Sequence, residues 1–99
     1  MMEKKMKKEV NFDGRTIESP EEFHQGFAKL LSFPSYYQHN LDDLWTCLTS
    51  YINPNLRLMI QGTDHLYAVF AHEAPGLQDI FQRLPDACPE LELILNAEN

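Results

Sequence analysis

Pro34-Ser35-Tyr36-Tyr37-Gln38-His39-Asn40-Leu41-Asp42-Asp43-Leu44-Trp45-Thr46-Cys47-Leu48-Thr49-Ser50-Tyr51 reads as a loop feeding a helix. Asn40 is a good N-cap, because its short amide can accept from a backbone N–H that the first turn leaves unpaired. Asp42 and Asp43 follow where the helix dipole favours anions. Leu41, Leu44, Trp45, Leu48 and Ile52 recur at helical spacing on one side, until Asn53-Pro54-Asn55 breaks the pattern. At about 100° per residue, Asp42, Thr46, Thr49 and Ser50 fall on the other side, with Asp43 beside them and Trp45 at the border. This helix decides the fold because a strand-like run lies before it and another after it.

Upstream, Ser19-Pro20-Glu21-Glu22 is a capping box, with serine at N-cap, proline at N1 and glutamate at N3. Phe23, Phe27, Leu30 and Leu31 then mark the core side of a helix running to about Leu31, which Phe33-Pro34 ends. Before it, Glu9-Val10-Asn11-Phe12 alternates like a short strand and stops at the turn pair Asp13-Gly14.

Downstream, Leu56-Arg57-Leu58-Met59-Ile60 is a second strand ended by Gln61-Gly62. Thr63 or Asp64 is expected to cap a helix carrying Leu66, Val69 and Phe70, which Pro75-Gly76 interrupts. Leu77, Ile80, Phe81 and Leu84 mark a further helix, closed near Pro85 to Pro89. Leu91-Glu92-Leu93-Ile94-Leu95 is a last strand, apolar enough to expect cover on both faces. Strands separated by helices run parallel with right-handed crossovers. The expected class is therefore α/β, with three parallel strands and about four helices packed on them.

Ninety-nine residues make a single domain. Residues 1–8 form a basic, flexible N-terminus and residues 9–99 the folded body. The formal charge is -7 from 8 basic and 15 acidic residues. Residues 1–8 hold four of the lysines and one glutamate, so the body carries 4 basic against 14 acidic groups. Such a body repels nucleic acid and anionic membrane and attracts cationic partners. No apolar run is long enough to span a bilayer, and no apolar segment follows the basic N-terminus as a secretory signal requires. Cytoplasmic placement, with Cys47 and Cys88 as reduced thiols, is the expectation.

Catalytic signatures are missing. The four glycines form no phosphate-cradling loop, the cysteines are not a CxxC pair, and no metal-binding spacing occurs. His65 and His72 are expected at the surface, and no cofactor or metal is implied. A Cys47/His39 nucleophilic pair lacks an orienting third group. Asp42 and Asp43 diverge by about 100° and do not converge as an acid/base pair. The chain therefore does not read as an enzyme. Tyr36, Tyr37 and Trp45 beside acids at a helix start have the composition of a protein interface instead.

The pattern Pro34-x-Tyr36-Tyr37-x-x-Asn40-Leu41-Asp42-x-Leu44-Trp45-x-Cys47-Leu48-Thr49 resembles the signature of the barstar family of intracellular ribonuclease inhibitors. The resemblance extends over most of residues 7–96. It implies a three-stranded parallel sheet with four helices, and a monomer when free. It also implies inhibition of a secreted guanyl-specific ribonuclease, or a related basic nuclease toxin, as an immunity or antitoxin protein. The second helix and its preceding loop would plug the nuclease active site. By position this puts Tyr36, Asn40, Leu41, Asp42, Trp45 and Tyr51 against the partner, with Tyr37, His39, Asp43 and Thr46 completing the expected binding set. Three positions depart from the family's pattern. Its central acid one turn after Asp42 is Thr46, its acid on the last long helix falls at Arg83, and the tryptophan beyond Trp45 is Tyr51. These departures leave a second reading open, an adaptor of the same fold that binds another, basic protein without inhibiting a nuclease.

Overall fold

The computed structural model describes residues 7–96. Its elements are β1 (Lys8–Asp13), α1 (Pro20–Leu31), α2 (Leu41–Thr46), β2 (Leu56–Gln61), α3 (Thr63–Phe70), α4 (Ala74–Ala87) and β3 (Glu92–Leu95). The strands form one parallel sheet in the order β1-β2-β3. An α/β fold with a three-stranded parallel sheet is thus what the alternation of periodicities specified. Of the basic N-terminal stretch, residues 1–6 lie outside the described residues. Lys8 already belongs to β1, and Lys7 Nζ donates to the Glu90 carbonyl at 2.7 Å.

The sheet is two-faced. Val10 and Phe12 of β1 and Leu56, Leu58 and Ile60 of β2 are buried under the helices. On the other face Arg57 sits between its register partners Glu9 and Glu92, bonding them at 2.6 and 3.1 Å. Cover on both faces of the last strand does not hold. β2 is the central strand and β3 lies at an edge, where its residues are half-buried or exposed. The apolar run of β3 reads like that of a central strand because its two neighbours in space, the sheet face and α4, are not visible in its own sequence.

Helix α1 starts as the capping box requires: Ser19 Oγ accepts from the Glu22 amide at 3.2 Å. The Glu22 carboxylate reaches one residue further back than the usual box, accepting from the Glu18 amide at 2.8 Å. Phe23 and Phe27 are fully buried. Phe27 meets Phe12 edge-on at 4.8 Å and Phe23 meets Phe70 at 5.2 Å, tying α1 to β1 and α3. Ser32, in the left-handed region at φ 56°, ends the helix just before Phe33-Pro34.

The α3–α4 region departs from expectation in two places. The N-cap of α3 is Gly62, at φ 70°, where an added Cβ would lie 2.9 Å from the Arg15 backbone nitrogen. Thr63 is the first helical residue, and its amide donates to Asn96 Oδ1 at 3.1 Å while Asn96 Nδ2 donates to Thr63 Oγ1 at 2.6 Å. The cap thus arrives from 33 residues away, which no local pattern reports. The break between the helices is at Ala71–Glu73, and Pro75 sits in the first turn of α4, where its missing N–H costs nothing. Pro85 lies inside α4, which continues to Ala87 and so closes between Pro85 and Pro89 as expected. In the last turn it removes a single backbone bond, and Leu77, Ile80, Phe81 and Leu84 keep the helix anchored in the core. Among the described residues no peptide bond is cis, and no helix is long and apolar enough to cross a membrane.

Candidate functional site

The surface of interest is α2 with the loop before it. Asn40 caps α2 as its sequence position predicts: Oδ1 accepts from the Asp43 amide at 2.7 Å, and the Leu44 amide bonds the Asn40 carbonyl at 2.9 Å. The Asp43 carboxylate folds back and accepts from the Gln38 amide at 2.8 Å. Asp42 has no such duty and stays exposed. Two neighbouring aspartates therefore have different work, one holding the loop and one facing outward.

Tyr37 does not belong to the outward surface. It is 6% exposed, packs edge-on against Phe33 at 4.8 Å, and shares a 2.6 Å hydrogen bond with Nδ1 of His24. Its place in the expected binding set is corrected by this burial, whereas Tyr36 beside it is 72% exposed. A tyrosine pair gives one ring to each side of an extended loop, and composition cannot say which. His24 itself, 3% exposed, carries no sequence signal beyond its place next to Phe23. Its pKa is lowered to about 4, first by burial, then by His39, with Glu21 acting in the opposite direction.

His39 adopts φ 55°, a left-handed backbone uncommon for a side-chain-bearing residue. Its ring stacks on His24 at 6.0 Å, and its Nδ1 lies 2.6 Å from Glu21 Oε2 of α1. The loop is thus tethered from both flanks. Tyr37 and His39 hold it to α1, and Asp43 holds it to α2.

Along α2 and the turn that continues it, Leu44, Cys47 and Leu48 are buried, while Leu41 and Trp45 are half-buried rather than core. The helix then widens into a π turn over Cys47–Tyr51, with the Ile52 amide bonding the Cys47 carbonyl at 3.1 Å. Thr46 Oγ1 donates to the Asp42 carbonyl at 3.1 Å and Thr49 Oγ1 to the Trp45 carbonyl at 2.7 Å. The position where the family carries its central acid therefore presents a hydroxyl already engaged with its own helix. Tyr51, 49% exposed, completes the outward set with Tyr36, Asp42 and Thr46.

Two clefts flank this ridge, and Leu41 and Asp42 line both. One, of about 260 Å³, lies against α1 and is lined by Glu21, His24, His39 and Glu73. The other, of about 330 Å³, lies against α4 and is lined by Trp45, Gly76, Ile80, Asp79 and Arg83. A Cβ at Gly76 would meet Leu41 Cδ1 at 2.8 Å, so a larger residue there would displace the end of the Leu41 side chain. Arg83 Nε lies 3.1 Å from Asp79, one turn back on α4. The charge reversal at Arg83 is consequently offset by a neighbour that helix periodicity could have supplied. Glu21, Glu73 and Asp79 are the site carboxylates that sequence reasoning missed, because each belongs to a different element and only the fold gathers them.

Neither thiol has the surroundings of a nucleophile. Cys47 and Cys88 are both free and buried. Burial, reinforced by the Asp43 carboxylate, pushes the Cys47 thiol up, the opposite of the shift an attacking thiolate needs. Among the described residues no group of three or more potential ligands could hold a metal ion.

Comparison with known proteins agrees with this architecture. A Bacillus subtilis (strain 168) protein named "Putative ribonuclease inhibitor YrdF" is 31% identical over 75 residues, covering 76% of this chain and 82% of its own. The family model described as "Barstar (barnase inhibitor)" matches residues 7–95, from the residue before β1 to the end of β3. With every element of the sheet and all the helices inside that match, the chain belongs to the barstar family.

Proposed function

We propose that this protein inhibits a guanyl-specific, secreted-type ribonuclease by inserting α2 and its preceding loop into the active site, as an immunity or antitoxin protein in the cytoplasm. The observation that carries the reading is the ridge of Tyr36, Asp42, Trp45, Thr46 and Tyr51. It is an aromatic and acidic strip projecting from a loop that the core holds in place. A ribonuclease active site is cationic because it binds phosphates, so an acidic ridge is steered toward it and occupies the place of RNA. Membership of the barstar family and the likeness to a protein named as a ribonuclease inhibitor support the same reading. His39, Asn40 and Leu41 shape the ridge, and Asp43 serves it by fixing the loop.

The test is cleavage of RNA by a panel of guanyl-specific ribonucleases with and without the protein. Stoichiometric inhibition of at least one is expected, and activity unchanged across the panel would sink the proposal. The association rate should also fall steeply as salt is raised through the physiological range, where the Debye length is about 8 Å. A rate indifferent to salt would contradict steering.

A second reading, an adaptor that binds a basic protein without blocking a nuclease, is favoured by Thr46 and by the neutralised Asp79–Arg83 pair. Affinity capture with the intact chain separates the two. Recovery of a nuclease that the protein inhibits ends the adaptor reading.

A further inference from the structure

The cleft on the α1 side is not explained by the ridge alone. Three carboxylates line it from three separate elements: Glu21 in the first turn of α1, Asp42 in the first turn of α2, and Glu73 in the link between α3 and α4. Among the described residues no lysine or arginine pairs with any of them; only Glu21 is engaged, its Oε2 lying 2.6 Å from His39 Nδ1 and accepting from Gln25 Nε2 at 3.2 Å. Arg15, Arg57, Arg83 and Lys7 pair instead with Asp13, Glu9, Glu92 and Asp79. Anions gathered from distant parts of a chain, with one histidine beside a single one of them, raise each other's energy, and an incoming cation relieves that.

A second observation concerns the floor. His24 is 3% exposed and lines this cleft, and its Nδ1 is taken by Tyr37. Its other ring nitrogen, Nε2, has no hydrogen-bond partner among the described residues. No fully enclosed side-chain nitrogen or oxygen is left without a partner among them, so Nε2 opens onto the cleft it lines. In the tautomer whose Nδ1–H donates to the Tyr37 oxygen, the one a donor in the cleft selects, Nε2 offers a lone pair, and burial keeps the imidazole neutral at ordinary pH. The cleft thus presents three carboxylates at the rim and, in that tautomer, one imidazole acceptor at the floor, with His39 and Asn40 also lining it.

From this geometry we infer that the cleft receives an arginine side chain of the protein partner, its guanidinium bonded by the Glu21, Asp42 and Glu73 carboxylates and donating one N–H to His24 Nε2. A guanidinium has five donors in a fixed plane and no acceptor, so it can serve several carboxylates and a ring nitrogen at once. An ammonium is a compact point charge with three donors and cannot span acceptors held on separate elements as well. The inference rests on the proposed inhibitor reading for the identity of the partner and adds a second anchoring point beside the ridge. It places specificity in Glu21 and Glu73, which lie outside α2.

The test uses the intact chain and N-acetyl-arginine methylamide as probe, titrated at constant ionic strength and followed by NMR. The expected result is saturable movement of the His24 and His39 ring signals and of the Glu21 and Glu73 amides. The matching lysine probe should bind at least about threefold more weakly, and Glu73→Gln should weaken the arginine probe by a similar factor. Glu73 is exposed and makes no side-chain bond among the described residues, so an otherwise unchanged spectrum will show that this variant folds. Equal binding of the two probes, indifference to Glu73→Gln, or movements no larger than those caused by sodium chloride would overturn the inference. No nuclease enters this measurement, so its failure is distinct from failure to inhibit one.

Discussion

Acidification should destabilise this protein through one buried ring. His24 is lowered from 6.5 to about 4, mainly because burial disfavours its charged form, with His39 adding to the effect. Between those two values the unfolded chain takes up a proton on this residue and the native state does not. Stability therefore rises with pH across the window, complete above about 6.5 and lost progressively as pH falls toward about 4. The full span corresponds to about 3 kcal/mol, of which about 2 kcal/mol falls between pH 7 and pH 5. In a domain of this size that amounts to a drop in Tm of roughly 8 °C or more. Carboxylates titrate nearby, so the informative quantity is the difference between the parent and His24→Gln, an amide that retains a partner for Tyr37 but cannot charge. Urea unfolding at the two pH values should give a smaller pH-dependent loss in the variant by about the amount above. Equal losses in both proteins, or a His24 ring signal titrating near 6.5, would refute the reasoning.

Tyr37→Phe removes the hydroxyl that holds His24 Nδ1 and leaves a buried ring nitrogen unpaired, for a loss of about 1–3 kcal/mol in unfolding free energy. If Tyr37 instead faced the partner, its cost would appear in binding with stability unchanged. In the complex, Asp42→Ala should slow association and reduce affinity more than Asp43→Ala, because only Asp42 is free to face a cation. Asp43→Ala should lower the unfolding free energy by about 1 kcal/mol through the released Gln38 amide, and surface plasmon resonance with thermal melts will separate the two effects. Asn96→Ala should cost about 1–2 kcal/mol by uncapping α3, and hydrogen exchange should accelerate first at the Thr63 amide. Unchanged exchange there would mean that the cap contributes nothing.

How much was legible depended on whether the deciding contact was local. The caps at Ser19 and Asn40 are hydrogen bonds over three residues, and both occur as the sequence spacing requires. The order of the elements and their parallel pairing follow from period and connection length, so the fold was readable. The cap of α3 was not, because its acceptor lies across the sheet at Asn96. Pro85 sits in the final turn, where it costs one bond that the buried Leu84 outweighs, and α4 closes at Ala87, between Pro85 and Pro89 as the sequence indicated. In the candidate site, Asp42 and Thr46 are exposed and Trp45 half-buried, as helical angles indicated, and Tyr36 and Tyr51, singled out by the resemblance, are exposed. Tyr37 was opaque, since alternate residues of a loop have no fixed period to assign inside and outside, and His24 because it lies on α1 beside the Phe23 and Phe27 stripe, where a polar ring gives no apolar signal. Glu21, Glu73 and Asp79 were opaque for a different reason: each is an unremarkable surface acid until the crossovers carry it to the ends of α2.

The buried peg made by Tyr37 has a consequence for the thermodynamics of recognition. Ordering a loop residue costs roughly 1–2 kcal/mol of conformational entropy, and a floppy recognition loop incurs that cost at the moment of encounter. Here Phe33, Tyr37, His39 and Asp43 fix the loop while the domain folds. The free protein therefore meets its target with the loop already in a single shape, and exchange of the outward residues can alter which target is held without loosening the frame. Retargeting of this surface is in that sense a change of side chains on a rigid die, with the fold bearing the entropic cost in advance.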